Sequence, residues 1–239
     1  MNKQLPELSI FFPFWNEEKN IEPVVKKALH IAPSIAKQWE IIIVDDGSLD
    51  KTLEIAQRLA KKDNHIKIVS HTPNRGYGAA LNAGFSNSKY KYIVFTDGDD
   101  QFDFSEVTKL TEKIENADMV IGFRTRRKDH NLGKRLLLMN LLKIWDFLLF
   151  RFHFKDIDCG FKMFKKEALE NIMPLRSEGA MITTEILAKA KKKKLKIEEV
   201  GVTHYPRTFG SQTGANFPVV IRAVLESLIL WYDLHYGRT

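Results

Sequence analysis

The sequence predicts an α/β fold, a Rossmann-like and mostly parallel sheet with helices on both faces. Three observations support this prediction. Short runs rich in Val, Ile and Phe alternate with longer segments of helical periodicity through the first half of the 239-residue chain. Segments rich in Asp, Asn and Gly follow these short runs. A hydrophobic content of 44% provides enough apolar side chains for one large domain.

The first half of the chain contains five predicted strands and four predicted helices. The strands are Leu8–Phe12, Glu40–Val44, Ile66–Ser70, Tyr92–Thr96 and Met119–Phe123. The helices are Glu17–His30, Asp50–Lys62, Gly78–Asn87 and Ser105–Asn116. In open sheets of this kind the ligand binds beyond the carboxyl ends of the strands. The residues that follow each strand are therefore the candidates for a functional site.

Composition limits the cellular setting and the partners. The single cysteine, Cys159, cannot form an intrachain disulfide and favours a reducing, cytoplasmic setting. The N-terminus lacks a signal-peptide pattern, and no uncharged apolar run reaches the roughly 18 residues that cross a bilayer, so we expect a soluble or peripheral protein. A net charge of +7 favours polyanionic partners, although a solvated helix end also explains the basic run Lys189–Lys196. No nucleic-acid-binding module is recognisable, and nucleic acid is not an expected partner.

Asp97 and Asp99 directly follow the predicted strand Tyr92–Thr96 and are separated by one glycine. Two carboxylates at a strand end can bind Mg²⁺ or Mn²⁺ together with a diphosphate, because hard cations prefer carboxylate and phosphate oxygens. An ordinary acidic turn is the alternative interpretation. The position of these residues in the alternating βα series favours the metal site.

Two further segments follow predicted strands. Ser48 or Asp50 can cap the next helix, whereas the adjacent acids Asp45 and Asp46 exceed what capping needs. One of these acids is a candidate to accept hydrogen bonds from a base or ribose. The segment Asn74–Gly78 lacks the ending of a P-loop and the third glycine of a dinucleotide fingerprint, which disfavours kinase-like or NAD-binding chemistry. Its glycines allow the chain to pass close to a ligand.

Taken in order, these segments resemble glycosyltransferase family 2, and in particular its polyprenyl-phosphate branch, which includes dolichyl-phosphate mannosyltransferase. The motifs that carry the resemblance are Phe12–Glu17, Val44–Thr52, Asn74–Ala80, Asp97–Gln101 and Gly122–Arg124. Later segments that continue it are Asp158–Phe164, Thr184–Ala188, Ile197–Val200 and Arg207–Ser211. The resemblance covers residues 8–212.

The resemblance implies a GT-A fold and an inverting transfer of a sugar from a UDP- or GDP-linked donor to a polyprenyl or dolichyl phosphate. Residues implied to bind the nucleotide sugar are Pro13, Glu17, Asp46, Gly76, Asp97 and Ser211. Residues implied to organise Mg²⁺ or Mn²⁺ and the diphosphate are Asp97, Asp99 and Gln101. Residues implied in catalysis are Asp99, Arg124 and Arg207, with both arginines facing phosphates.

Asp158 or Glu185 could act as general base if the acceptor is a hydroxyl, and a structural role for either is an equal alternative. The sequence departs from the family pattern at Trp15, Asp100 and Gln212. The change at Gln212 leaves the class of acceptor less well defined than the chemistry of the donor. The alternative acceptors are a glycan, a protein or a small-molecule hydroxyl. A non-catalytic sugar-nucleotide-binding subunit is also conceivable, but the retention of both aspartates disfavours it.

Two segments have apolar arcs wider than a helix at the edge of a soluble domain needs, Gly133–Phe150 and Phe217–Tyr236. We expect a catalytic domain at residues 1–212, including an amphipathic helix at 133–150, and a C-terminal amphipathic helix at 213–239. Basic residues such as Lys134 and Arg135, with neighbouring aromatic residues, suit the boundary between lipid headgroups and acyl chains. This favours peripheral contact with the cytoplasmic face of a membrane. The alternatives are that the helices cover each other or form the interface of a homo-oligomer.

Overall fold

A computed structural model describes residues 4–125, 144–145, 147–210 and 217–237. The strands are β1 (Leu5–Phe14), β2 (Ala36–Asp45), β3 (Ile66–Ser70), β4 (Tyr92–Thr96), β5 (Met119–Arg124), β6 (Phe161–Lys165) and β7 (Ile197–Val202). The helices are α1 (Ile21–Ile35), α2 (Thr52–Ala60), α3 (Tyr77–Asn87), α4 (Val107–Ile114), α5 (Lys166–Glu170), α6 (Ile182–Lys192) and α7 (Phe217–Tyr236), with a 3₁₀ turn at Phe104–Glu106.

The seven strands form one sheet in the order β3-β2-β1-β4-β6-β5-β7. The pairs of β1 with β2, β1 with β4, β2 with β3 and β5 with β7 are parallel, whereas β6 runs antiparallel to both of its neighbours. The prediction of a mostly parallel sheet is confirmed. Because β1 to β4 run in the same direction, the polar residues that follow them meet at one edge of the sheet.

All five predicted strands and all four predicted helices are present; β3 and β4 have the predicted bounds, and the bounds of the other elements are shifted. The largest difference is the length of β1 and β2, which pair from Leu5 opposite Ala36 to Phe14 opposite Asp45. This pairing extends both strands beyond their apolar runs. Strands β6 and β7 were not predicted. The short apolar run of β6 contains Lys162, which is fully buried.

The core lies on both faces of the sheet, and β1 shows why. Its consecutive residues Phe11 and Phe12 are fully buried on opposite faces, because successive side chains of a strand alternate. Phe12 belongs to the apolar cluster that includes side chains of α1 and α4. Phe11 belongs to the cluster that includes side chains of α3, α6 and α7, and its ring lies 5.2 Å from that of Phe95. The helices therefore hold the edge of the sheet in place from both sides.

Helix α7 packs on this second layer through Leu230 and Leu234. Much of the predicted helix at 133–150 lies outside the described residues; of that segment, 144–145 and 147–150 are helical. Trp145 Nε1 donates a 2.8 Å hydrogen bond to Oγ of Ser227 on α7, so this part of the segment does contact α7. In the ranges given above, no helix combines the length and hydropathy of a bilayer-crossing segment.

Candidate functional site

A cavity of about 360 Å³ lies at the carboxyl edge of the sheet. It is lined by the last two residues of β1, by residues that follow β1 to β4 and by one residue beyond β7: Pro13, Phe14, Trp15, Glu17, Asp46, Asn74, Gly76, Tyr77, Ala80, Asp97, Gly98, Asp99 and Arg207. Seven of the predicted site residues are among them: Pro13, Glu17, Asp46, Gly76, Asp97, Asp99 and Arg207. The parallel topology thus brings together side chains that are as much as 194 positions apart, from Pro13 to Arg207.

Asp97 and Asp99 form the acidic centre of this cavity. Burial raises the pKa of Asp97, and the hydroxyl of Tyr77, which donates to Asp97 Oδ1 at 2.7 Å, opposes that rise. Burial and the neighbouring charge of Asp97 raise the pKa of Asp99 to about 7. Gly160 is required beside them, because a Cβ atom there would lie 2.1 Å from Asp97 Oδ2. The two carboxylates therefore carry closely spaced negative charge with little solvent to screen it.

Arg207 is a cation that lines the cavity beside this centre. Its Nη1 lies 3.4 Å from Asp99 Oδ2, and its Nη2 donates to Glu17 Oε1. Gln101 supports the segment that carries Arg207. Its side-chain Nε2 donates to the backbone carbonyl of Tyr205 at 2.9 Å, and its backbone carbonyl accepts the Tyr205 N–H at 2.7 Å. Gln101 is buried and is not among the cavity-lining residues, although the resemblance implied a metal ligand there.

Asp46 organises the segment that follows β3. Its two carboxylate oxygens accept hydrogen bonds from Asn74 Nδ2 at 2.8 Å and from the backbone N–H groups of Arg75 and Gly76 at 3.1 and 2.7 Å. Nδ1 of His71 lies 2.7 Å from Oδ1. Asp46 lines the cavity, and its hydrogen bonds set the course of the glycine-rich segment; its contact with a nucleoside remains a prediction.

Arg124 does not line the cavity. Its guanidinium makes a bidentate pair with Asp156, with Nε and Nη2 donating to the carboxylate at 2.6 and 2.7 Å. Burial alone would lower the pKa of Arg124, but the pairing with Asp156 outweighs burial and raises this pKa above its usual value. Asp158 is exposed and also lies outside the cavity-lining set. The predicted roles of Arg124 and Asp158 remain predictions.

Glu185 lies outside the cavity described above. It lines a groove of about 540 Å³ between residues 171–178, α6 and α7, and its carboxylate accepts backbone N–H groups of Arg176 and Ser177. Its role as a general base remains untested. Ser211 lies outside the described residues.

Sequence analysis missed Tyr77, Asp156 and Lys162. Tyr77 stands between two glycines of a segment already considered, so its position was available as a signal. Lys162 Nζ donates to the carbonyls of Ile157 and Cys159, which holds the turn before Gly160 against Asp97. Nothing in the sequence pattern pairs Asp156 with Arg124, because that contact depends on how β5 and the turn before β6 meet.

The donor set fits a hard divalent cation that is shared with a ligand. In the part of the chain that is described, no group of three or more His, Cys, Asp and Glu side chains is arranged to hold a metal ion by itself. Asp97 and Asp99 provide two carboxylates whose charge is poorly solvated, which favours a cation. The other ligands would be diphosphate oxygens and water molecules, because Mg²⁺ usually keeps several waters when it binds to a protein.

Comparisons with known proteins show the family of the chain. The model of glycosyl transferase family 2 matches residues 9–173. Dolichyl-phosphate beta-glucosyltransferase of Saccharomyces cerevisiae is 31% identical over 82% of this chain and 66% of its own length. The enzyme of the same name from Dictyostelium discoideum is 33% identical over 82% of this chain and 65% of its own length. Dodecaprenyl-phosphate galacturonate synthase of Rhizobium johnstonii is 27% identical over 96% of this chain and 68% of its own length. The chain therefore spans about two thirds of the length of these relatives.

A solved structure has a similar fold. Glucosyl-3-phosphoglycerate synthase from Mycobacterium tuberculosis, crystallised with Mn²⁺, uridine-diphosphate and glucosyl-3-phosphoglycerate, superposes with a TM-score of 0.68 at 20% identity. The match covers 95% of this chain and 80% of that one. At this identity the likeness concerns the fold, and it confirms the predicted GT-A architecture.

Proposed function

The chain belongs to glycosyltransferase family 2, and we propose that it moves a sugar from a nucleotide diphosphate donor to a polyprenyl phosphate. The observation that carries the proposal is the cavity in which Glu17, Asp46, Asp97, Asp99 and Arg207 meet at the carboxyl edge of the sheet. The names of the dolichyl-phosphate and dodecaprenyl-phosphate relatives support the choice of acceptor.

The proposed donor site divides the work among these residues. Glu17 and Asp46, with Pro13 on the cavity wall, face the nucleoside, while Asp97 and Asp99 face the diphosphate. Mg²⁺ or Mn²⁺ held by these two aspartates would supply positive charge beside the departing diphosphate. Arg207 already contacts Asp99, which places a second positive charge where the leaving diphosphate develops negative charge.

The proposed acceptor needs little activation. A phosphate oxygen is anionic at neutral pH and can attack the anomeric carbon without a general base. The bond from that carbon to the diphosphate oxygen breaks as the new bond to the acceptor oxygen forms, with inversion at the carbon. The chain's own task is then to align the three groups and to stabilise the charge on the departing diphosphate. Neither step requires Asp158 or Glu185 to carry a proton.

Transfer to lipid is tested directly with purified protein, Mn²⁺, labelled UDP- and GDP-sugars and a polyprenyl phosphate. We expect label in the organic phase with one donor class, and none when the polyprenol lacks its phosphate. Label that moves only to a sugar or glycan hydroxyl would favour the alternative acceptor class. The absence of transfer to every acceptor, together with no donor hydrolysis, would favour a sugar-nucleotide-binding subunit.

We also propose peripheral contact with an anionic membrane at its cytoplasmic face. One side of α7 carries exposed apolar residues at helical spacing: Leu225, Leu228, Ile229, Tyr232 and Tyr236. The opposite side, with Leu230 and Leu234, is buried. Lys192 Nζ donates to the carbonyl of Leu234, so the basic end of α6 adjoins this helix. An apolar stripe beside lysines suits the boundary between acyl chains and anionic headgroups.

A further inference from the structure

We propose that Glu185 is a positioning residue that sets the shape of the donor cavity through the segment 176–179. The proposal rests on the proposed function for its kinetic readout alone, because its structural readout needs no substrate. It assigns the side chain a role different from that of a general base. Hydrogen bonds and the backbone between them connect α6 to Asp97.

The first contact is between Glu185 and the segment. Glu185 lies in the first turn of α6, and the residue is 1% exposed. Its two oxygens accept the backbone N–H of Arg176 at 2.9 and 3.0 Å, and Oε2 accepts that of Ser177 at 2.8 Å. Lys189 Nζ lies 2.7 Å from Oε1. Hydrogen bonds to an ionised acceptor are stronger than neutral ones, so the carboxylate fixes where this segment runs.

The second contact is between the segment and the start of α3. The first N–H groups of a helix have no partner within the helix, and here no side chain caps them. The carbonyl of Glu178 takes that place, accepting the N–H of Gly78 at 2.8 Å and that of Ala79 at 3.3 Å. The backbone that Glu185 holds therefore caps α3.

The two segments also touch too closely to move independently. A Cβ atom on Gly78 would lie 2.3 Å from the carbonyl oxygen of Ser177, and one on Gly76 would lie 2.7 Å from that of Glu178. Gly76 also has a φ of +102°, which L side chains rarely adopt. A small displacement of the segment would therefore displace the start of α3.

The third contact is between the start of α3 and the acidic groups of the cavity. Gly76 N–H donates to Asp46 Oδ2 at 2.7 Å, and the Tyr77 hydroxyl donates to Asp97 Oδ1 at 2.7 Å. Glu185 itself is not among the residues that line this cavity. Supporting contacts of this kind fix the orientation of groups that bind a ligand, and we infer that Glu185 acts through them.

The test is the variant Glu185→Gln, compared with wild type by amide hydrogen exchange of the ligand-free protein. We expect roughly 5- to 10-fold faster exchange at Arg176 and Ser177, and also at Gly78 and Ala79, which Glu185 does not touch. The matched control is Lys193→Gln, which changes an exposed side chain of the same groove. Faster exchange confined to Arg176 and Ser177 would overturn the proposal.

Kinetics separate positioning from proton transfer. For a positioning residue, Glu185→Gln lowers kcat/KM about 10-fold without changing the shape of the pH profile, and Glu185→Asp restores part of the loss. For a general base, the acidic limb of the profile disappears and the loss is roughly 10²- to 10⁴-fold, which would overturn the proposal. If Glu185→Gln does not fold, Gly78→Ala tests the same contact from the other side and should reproduce the kinetic result. Inactive wild-type protein would count against the proposed function, and the exchange experiment would still decide this proposal.

Discussion

The hydroxyl of Tyr77 donates a 2.7 Å hydrogen bond to Oδ1 of Asp97, which joins the first residue of α3 to the residue that follows β4. Both residues are half-buried and line the cavity, and desolvation and the Asp97 charge keep the Tyr77 pKa well above its usual value, so that the hydroxyl remains a donor. One oxygen of Asp97 is thereby held in a defined direction by a residue from a different βα unit.

Tyr77→Phe should weaken the site while keeping the ring in place. A hydrogen bond to a charged group contributes roughly 1.5–3 kcal/mol, so we expect kcat/KM to fall about 10-fold or more. Steady-state kinetics with saturating Mn²⁺ measure this loss. Tyr90→Phe is a matched control at a tyrosine that lies outside the cavity. Unchanged kinetics in Tyr77→Phe would show that this hydrogen bond does not position Asp97 for the reaction.

Asp99→Ala should abolish Mn²⁺-dependent transfer, with a loss of at least about 100-fold, because one of the two proposed carboxylate ligands is removed. The thermal stabilisation by Mn²⁺ plus nucleoside diphosphate should disappear with it. Asp63→Ala removes an acid at the connection between α2 and β3 and should retain both properties. Undiminished turnover in Asp99→Ala would exclude this residue from the metal site.

Asp99→Asn should stabilise the protein in the absence of metal. Burial and Asp97 raise the Asp99 pKa to about 7, so the folded state disfavours the charged carboxylate. A raised folded-state pKa means that the stability present at low pH is lost as pH rises through about 7. The neutral amide avoids that loss, and the melting temperature should rise at pH 8 by roughly 2–4 °C per kcal/mol of relieved repulsion. The gain should shrink toward pH 4; a gain that is equal at both pH values would contradict this origin.

The thiol of Cys159 should be unreactive in the folded protein. Burial raises its pKa to about 11, and the side chain is fully buried, so little thiolate is present or accessible at pH 8. A thiol reagent such as DTNB should react with about one equivalent only after unfolding in urea. Rapid reaction without denaturant would show that the turn before Gly160 opens readily.

Vesicle flotation tests the membrane proposal. The protein should float with vesicles that contain an anionic phospholipid, and less so at high salt, because exposed charges are screened. Ile229→Glu introduces a charge on the apolar stripe of α7 and should reduce the floated fraction. Leu49→Glu, at a side chain that is 92% exposed elsewhere on the molecule, is the matched control. A floated fraction that is the same with and without lipid would refute membrane contact.

Much of the proposed donor site followed from the order of residues along the chain. Asp97, Asp99 and Asp46 each come directly after a strand, and parallel strands bring such residues to one edge of the sheet. Arg207 was placed by resemblance to the family, and the structure brings it to the same cavity. Gln101, Arg124 and Glu185 also belong to motifs that carry the resemblance, but their side chains contact Tyr205, Asp156 and the backbone of residues 176–177.

The sequence by itself determined the alternation of strands and helices, the acidic strand ends and the family, because these depend on local periodicity and on motifs within a few residues. Tertiary structure alone decided which carboxylates reach the cavity and which hold the backbone. It inserted β6 antiparallel between β4 and β5, which brings Gly160 against Asp97, and it packed residues 176–179 against the start of α3. Those contacts join residues far apart in the chain, and their geometry depends on backbone packing that no local pattern encodes.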